Sequence, residues 1–383
     1  MVQKYRIATK SGENIYDLVE SCLESLGGIR RLVPPGSTVL LKPNLVVEKP
    51  NSSGATTSPV VVDAVLEQLA RVPLREIIIG ESAAVSHSTM EAYRVSGIAE
   101  VARKRGVRLV DFKKDRQVEL SVPRGRSIAA VQVAETVLKA DFLINLPILK
   151  VHSQTRVTAG LKNLKGCISD AEKKRFHRLD LEQCIADLNT VIKSDLVIVD
   201  ATLCSLAWEE GGDPVRLDTV IAGTNVLAVD SFAATLLGYN PEEIRHFLLA
   251  EEHGLGSTRR EAIELENLSP LEKVRAKREP VPKGRFSRKI PGLKLVEDGA
   301  CTPCLGALYT ALQRLAKEGK KVKLTVALGQ KVAASHAGEA GPDWWGIGKC
   351  GCRLTGEERG VQGCPPGALE IYRALKEISG RQP

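Results

Sequence analysis

From residue 37 to residue 239 one pattern recurs: a short β-branched apolar run, a polar break, then a segment with helical spacing and a cap. STVLLKPN holds a strand at residues 39–41, and TTSPVVVDAVLEQLAR reads as a helix with Ser58 as N-cap and Pro59 at its first position. REIIIGES is the next strand and turn, TMEAYRVSGIAEVARKRG the next helix, VRLVDF the strand after it. DFLINLPILKVH, the helix LDLEQCIADLNTVIK, the strand SDLVIVDAT, a short strand TVIAG and the helical NVLAVDSFAATLLGY continue the series. Runs apolar on both faces, separated by helices, demand a mostly parallel sheet covered on both sides. The expected class is therefore α/β: a doubly wound, mostly parallel sheet with a small C-terminal cysteine-rich α/β subdomain.

The 383 residues exceed one ordinary core. The expected division is an α/β domain over 1–266, ending in a helical stretch near 241–266, then a basic Pro-containing linker over 267–296, then the cysteine-rich subdomain over 297–383. Most of the net charge of +8 sits between residues 271 and 294, where nine Lys/Arg oppose Glu272 and Glu279. Such a run reads as a solvated linker or a docking surface for an acidic protein, and aromatic content of 4% argues against stacking on nucleic acid. No stretch approaches the roughly 18 apolar residues of a membrane span. With nine cysteines, too few for a disulfide scaffold, the expected location is the cytoplasm.

Five of those cysteines gather in the tail: Cys301-x-x-Cys304, Cys350-x-Cys352 and Cys364, the last within GCPP. Cys22, Cys184 and Cys204 stand singly and read as small buried hydrophobes. A CxxC opening a helix aims two sulfurs at one spot, where the helix N-terminus favours thiolate. Adding CxC and GCPP supplies the four thiolates of a [4Fe–4S] cluster, or of a zinc site. Glycines 346, 348, 351 and 363, in a loop with Trp344 and Trp345, suit a cluster that backbone must approach closely, and Pro365 and Pro366 fix the chain beside Cys364. The expected ligands are Cys301, Cys304, Cys350 and Cys364, with Cys352 as the alternative to Cys350. A dithiol reading of Cys301-Thr-Pro-Cys304 leaves three cysteines unexplained, and VEDGA before it is not the apolar strand of a thioredoxin-like site.

GCPP resembles the cluster-ligating turn of nickel–iron hydrogenase small subunits and their relatives in respiratory complex I. A wider resemblance runs over residues 39–256. LLKPNLV, TTSPVVVDAVLEQL, INLPILKVHSQTRVTAGLKNLKGCI and VLAVDSFAATLLGYNPEEI resemble the family called domain of unknown function 362, whose members are commonly described as iron–sulfur centre proteins. Many members carry a bacterial ferredoxin module. This chain has a sparser tail instead, so a two-cluster relay is not implied.

Ligands of open α/β sheets bind beyond the carboxyl ends of the strands. Here those ends carry Lys42 and Asn44, Glu81 and Ser82, Asn145, Lys150 and His152, and Asp200 and Thr202, while TAGLKNLKGC adds Lys162, Asn163 and Lys165. Cations and amides on one edge suit a small anionic substrate. The expected substrate-binding set is Lys42, Asn44, Glu81, Lys162, Asn163, Lys165 and Asp200, with His152 and Lys150 as catalytic candidates. The loop WEEGGDP, with Glu209, Glu210 and Asp213, reads as a surface turn. Dinucleotide, P-loop and HExxH signatures are absent, as is the three-cysteine spacing of radical-SAM enzymes. The expectation is an iron–sulfur redox enzyme or electron-transfer protein served by a ferredoxin-like donor. The alternatives are a non-redox binding or regulatory protein with a structural zinc or cluster site, and an enzyme using its cluster as a Lewis acid.

Overall fold

Every second side chain of a central strand serves the opposite face of the sheet, and the apolar runs obey this rule. Val39 and Leu41 enter one core while Leu40 enters the other; Ile198 and Val199 divide in the same way. The structure is a computed structural model, in which residues 3–85, 87–152, 155–206, 211, 214–267, 291–300, 302–364 and 366–381 are described. The chain divides into two units, Met1–Pro280 and Val281–Pro383.

The strands of the first unit are β1 (Tyr5–Ser11), β2 (Thr38–Pro43), β3 (Glu76–Glu81), β4 (Arg108–Asp111), β5 (Gln117–Ser121), β6 (Ala130–Ala134), β7 (Phe142–Leu146), β8 (Lys150–His152), β9 (Arg156–Thr158), β10 (Leu196–Ser205), β11 (Pro214–Gly223) and β12 (Ile263–Asn267). Eight of them form one sheet in the order β12-β1-β11-β10-β7-β2-β3-β4. β11 pairs antiparallel with both neighbours, and every other pairing is parallel. Helices Ile15–Ser25, Pro59–Leu69 and Ile98–Arg105 cover one face. Helices Leu181–Asn189, Val226–Leu236 and Arg245–Glu252 cover the other, so the domain is doubly wound as expected.

Several expectations need correction. TVIAG is the end of the ten-residue β11, whose first half PVRLD carries too many polar residues to show as an apolar run. The stretch near 241–266 is helical only in part: Arg245–Glu252 is a helix, but Ile263–Asn267 is β12, an edge strand paired with β1. TMEAYRVSGIAEVARKRG is two helices, Thr89–Ser96 and Ile98–Arg105, because Gly97 takes φ 87° and ends the first. Ser88 and Ser58 cap their helices by accepting from the amides of Glu91 and Val60.

The second unit pairs β13 (Leu293–Glu297), β14 (Leu324–Leu328), β15 (Trp344–Ile347) and β16 (Gly360–Val361) in that order, all parallel. β13 lies partly inside the expected linker, which therefore ends earlier than residue 296; residues 268–290 of that linker lie outside the described residues. Helices Thr302–Lys317 and Ala368–Arg381 pack together, with the Arg314 guanidinium 4.2 Å from the Tyr372 ring centre. The expected Gly- and Trp-rich loop is instead strand β15 followed by the helix Gly348–Thr355. Trp344 is core, packed with Ala327 and Val332. Among the described residues no helix is long and apolar enough to cross a membrane.

Gly97 joins two helices through a left-handed residue, and a Cβ there would stand 3.3 Å from Pro59 Cγ. Gly97→Ala should lower unfolding stability by roughly 1–2 kcal/mol, read as a shift in the urea midpoint at unchanged slope.

Candidate functional site

β7 and β10 pair at only two positions, then diverge after Asn145. The chain between them leaves the sheet as the hairpin β8–β9, the short helix Gly160–Asn163 and the turn Leu164–Cys167. This excursion lies beyond the carboxyl ends of the central strands and carries Lys150, His152, Lys162, Asn163 and Lys165.

The side chains fall into two groups. In the first, polar atoms are consumed by one another. Lys42 Nζ donates to Glu81 Oε2 at 2.6 Å, to the Pro43 carbonyl at 3.0 Å and to Asn163 Oδ1 at 3.2 Å, and both charged groups are buried. Glu81 also accepts from the Ser82 amide at 2.7 Å. Asn163 Nδ2 donates to Asn145 Oδ1 at 2.8 Å, Asn44 Nδ2 donates to Asn163 Oδ1 at 2.8 Å, and Lys150 Nζ donates to Asn44 Oδ1 at 2.9 Å and to the Ala55 carbonyl at 2.5 Å. Gly166 closes over this network: a Cβ there would lie 1.8 Å from Glu81 Oε1 and 2.6 Å from Lys42 Nζ. Asp200 belongs to a separate lock, accepting from the Ser58 amide at 2.7 Å and from Thr202 Oγ1 at 2.6 Å. Lys42, Asn44, Glu81, Asn163 and Asp200 were expected to bind substrate; the structure places them in this buried framework.

The second group is basic. His152 is buried, and its Nδ1 accepts from the Thr155 amide at 3.2 Å, which puts the ring proton on Nε2. Its pKa is held well below the ordinary value, first by burial and then by the charges of Lys162, Lys165, His177 and Lys150. His177 is held down in the same way by burial, Lys165 and Lys162, and its Nε2 lies 3.0 Å from Lys165 Nζ. Sequence reasoning missed His177. The signal was available: Ser169 caps the helix Asp170–Arg178, which follows KNLKGC directly and returns its last turn toward Lys165. Lys173 on that helix reaches back to the Ser82 and Ala83 carbonyls at 3.0 and 2.7 Å, and burial lowers its pKa to about 8. Glu209, Glu210 and Asp213 lie outside the described residues.

Asp230 positions this segment from the neighbouring helix. Its carboxylate accepts from the amides of Gly160 and Leu161 at 2.7 and 2.8 Å, holding the first turn of Gly160–Asn163. Burial outweighs those two lowering contacts and pushes its pKa up to about 7.

In the second unit the cysteine-bearing elements converge on Gly348. This glycine has φ 73°, and a Cβ on it would stand 3.3 Å from Cys304 Sγ, 3.4 Å from the Gly363 carbonyl and 3.5 Å from Pro366 Cδ. The Lys349 amide donates to the Gly363 carbonyl at 2.9 Å, tying the start of the helix Gly348–Thr355 to the turn that bears Cys364. Cys304 is buried, Cys350 is half-buried and Cys364 is exposed. Cys352 sits two residues beyond Cys350 and so on the other side of their helix. Its Sγ donates to the Gly346 carbonyl at 3.7 Å, and burial raises its pKa. Gly346 and Gly351 serve this packing: a Cβ on Gly346 would fall 2.6 Å from the Cys352 amide nitrogen, and one on Gly351 would fall 2.3 Å from the Ala327 carbonyl. Cys301 and Pro365 lie outside the described residues. Among the described residues no three His, Cys, Asp or Glu side chains are gathered closely enough to hold a metal ion. Cys22, Cys167 and Cys184 are core thiols whose burial raises their pKa to about 12. Cys204 is buried as well.

An α/β protein with a basic excursion at its strand ends, joined to a small cysteine-bearing parallel-sheet unit, is the class that fold and site define. The chain belongs to the family described as Domain of unknown function (DUF362), whose model matches residues 39–235. A thylakoid-associated protein of Synechocystis sp. is 29% identical over 251 residues, which is 63% of this chain and 75% of that one. Two solved structures are similar at 12% identity. The lactate racemase apoprotein from Thermoanaerobacterium thermosaccharolyticum has a TM-score of 0.39, covering 88% of this chain and 71% of its own. A protein from Thermotoga maritima has a TM-score of 0.40, covering 83% and 71%. At such TM-scores two chains need share no chemistry.

Two outcomes test this geometry. Gly166→Ala should cost at least about 2 kcal/mol in urea unfolding, since neither member of the buried ion pair can leave the other. Asp230 binds its proton more tightly folded, near 7, than at its ordinary 3.8, so its contribution to stability is greatest below pH 4 and is lost as pH rises to 7. Asp230→Asn should remove this fall, on the order of 4 kcal/mol, when urea midpoints at pH 4.5, 6.0 and 7.5 are compared with wild type.

Proposed function

We propose that this is an iron–sulfur redox protein whose second unit holds one [4Fe–4S] cluster and whose first unit binds a small anionic ligand. The observation that carries the reading is the convergence on Gly348. A left-handed glycine, on which a Cβ would stand 3.3 Å from the Cys304 sulfur, brings that sulfur, the N-terminal turn of Cys350 and the GCPP turn of Cys364 to one place. Thiolates from separate elements around a glycine suit a bulky inorganic group that backbone must approach.

The ligands would be Cys301, Cys304, Cys350 and Cys364. Cys350 is preferred to Cys352 because the Cys352 thiol is engaged with the Gly346 carbonyl inside the strand–helix packing. When bound, the cluster would supply or accept single electrons. Lys349 commits its amide to the turn bearing Cys364, and the amides of the first helical turn favour thiolate at Cys350. A zinc ion would use the same sulfurs as a structural site. The anionic ligand of the first unit would meet Lys162, Lys165 and His152, whose surroundings keep the imidazole neutral and so a hydrogen-bond donor at Nε2. An acidic ferredoxin-like donor would find its complement in the basic segment 271–294.

The test is anaerobic purification followed by iron, zinc and acid-labile sulfide analysis, with EPR spectra before and after dithionite. About four irons and four sulfides per chain are expected. Cys350→Ser and Cys364→Ser should each deplete or alter the signal, while Cys352→Ser retains the iron. Zinc without sulfide would overturn the redox reading.

A further inference from the structure

The net charge of +8 belongs wholly to the second unit: Val281–Pro383 holds 17 Lys/Arg against nine Asp/Glu, and Met1–Pro280 holds equal numbers of each. Part of that surplus gathers at one edge of the small sheet, where β13 and β14 begin. The Val322 amide donates to the Pro291 carbonyl at 3.2 Å and the Leu324 amide to the Gly292 carbonyl at 3.3 Å, while a Cβ on Gly292 would stand 3.2 Å from Lys323 Cα. Ser379, near the end of the helix Ala368–Arg381, donates to the Lys321 carbonyl at 2.8 Å. These backbone contacts set Lys294 beside the run Lys320, Lys321 and Lys323, and Lys294, Lys321 and Lys323 are exposed.

Helix ends account for little of this. The carboxyl end of Thr302–Lys317 favours a cation, yet Glu318 there already meets Lys376 at 3.0 Å and Arg314 at 3.9 Å, and Lys294 lies on a strand. Among the described residues the second unit's one exposed large hydrophobic is Leu369. It stands in the first turn of the helix whose last turn carries Ser379, about 15 Å away along the axis. Protein interfaces are anchored by buried aromatic and apolar side chains, so a lysine edge remote from any such anchor suits a surface that asks only for charge. Tyr372 on the same helix is buried, with the Arg314 guanidinium 4.2 Å from its ring centre, and gives a nucleic-acid base nothing to stack on. The edge also lies away from the cysteines: Cys350 and Cys364 follow the opposite ends of β15 and β16, and a strand of five residues spans roughly 17 Å.

We propose that this lysine edge docks the second unit on an anionic phospholipid surface, leaving the cysteine edge turned away from the lipid. The inference goes beyond the redox reading and stands or falls without iron.

Co-sedimentation of the full chain at low salt with phosphatidylcholine vesicles, with and without phosphatidylglycerol, tests it on wild type, Lys321→Glu and Lys331→Glu, each checked for a native melting transition. The two variants make the same charge change at exposed positions before and after β14, so they differ only in the edge they alter. Wild type should sediment with the phosphatidylglycerol vesicles and not with phosphatidylcholine alone. Lys321→Glu should weaken that binding at least about tenfold, and Lys331→Glu by no more than about threefold. No binding of wild type to either vesicle overturns the proposal. Equal binding by wild type and Lys321→Glu, or equal loss in both variants, overturns the assignment to this edge. Polyglutamate or duplex DNA bound more tightly than the anionic vesicles at equal charge concentration overturns lipid as the occupant. Should Lys321→Glu fail to fold, Lys321→Gln decides, since removal of one edge charge must still weaken binding and unchanged binding overturns the proposal.

Discussion

The ion pair between Lys42 and Glu81 holds the centre of the first unit together. Both groups are removed from water, and a pair so placed is stable only when its remaining donors and acceptors are matched. Here they are: the Pro43 carbonyl and Asn163 take further contacts from the lysine, and the amides of Leu45 and Ser82 serve the carboxylate. Gly166 seals the pair because no side chain fits above it. The ends of β2 and β3 are thereby joined to the segment 160–167 that carries the basic side chains.

That coupling changes the meaning of the two most recognisable motifs. LKPN and KNLKG contain the residues a reader of the sequence would assign to substrate, yet Lys42, Asn44, Asn163 and Gly166 spend their polar atoms, or their lack of a side chain, on one another. What the framework presents is Lys162, Lys165, His152 and His177. Within the framework opposite charges and amides are matched; in the presented group like charges are crowded. The first arrangement suits a scaffold.

The second unit divides its glycines and cysteines in a comparable way. Gly346, Gly351 and Gly360 allow the helix Gly348–Thr355 to lie directly on the sheet, with Cys352 filling the space beside Gly360. The start of that helix meets the converging set instead: Gly348 lies against Cys304 and the turn of Cys364, and the Lys349 amide donates to that turn. Five cysteines and several glycines read as one constellation in the sequence, whereas in space they separate into a packing set and a converging set.

Much of the sheet was legible because burial on both faces leaves uninterrupted apolar runs: VLL, III and VIV became β2, β3 and β10, and Ser58 with Pro59 marked a helix start by local hydrogen bonding alone. β12, at one edge of the sheet, and β1 beside it escaped notice for the converse reason. β1 and β12 face solvent on part of their surface and mix charge with apolar residues, so YRIATKS and IELEN carry no run to detect. The direction of β11 was equally hidden, since antiparallel pairing leaves no mark in composition. The sequence by itself determined the fold class, the family and the clustering of cysteines, all of which depend on the kinds of residue present and their local spacing. Only the tertiary structure decided which lysines and asparagines are consumed by one another, and that His177 joins Lys165, because a hydrogen bond or a buried charge pair depends on which distant segments the packed core brings within 3 Å.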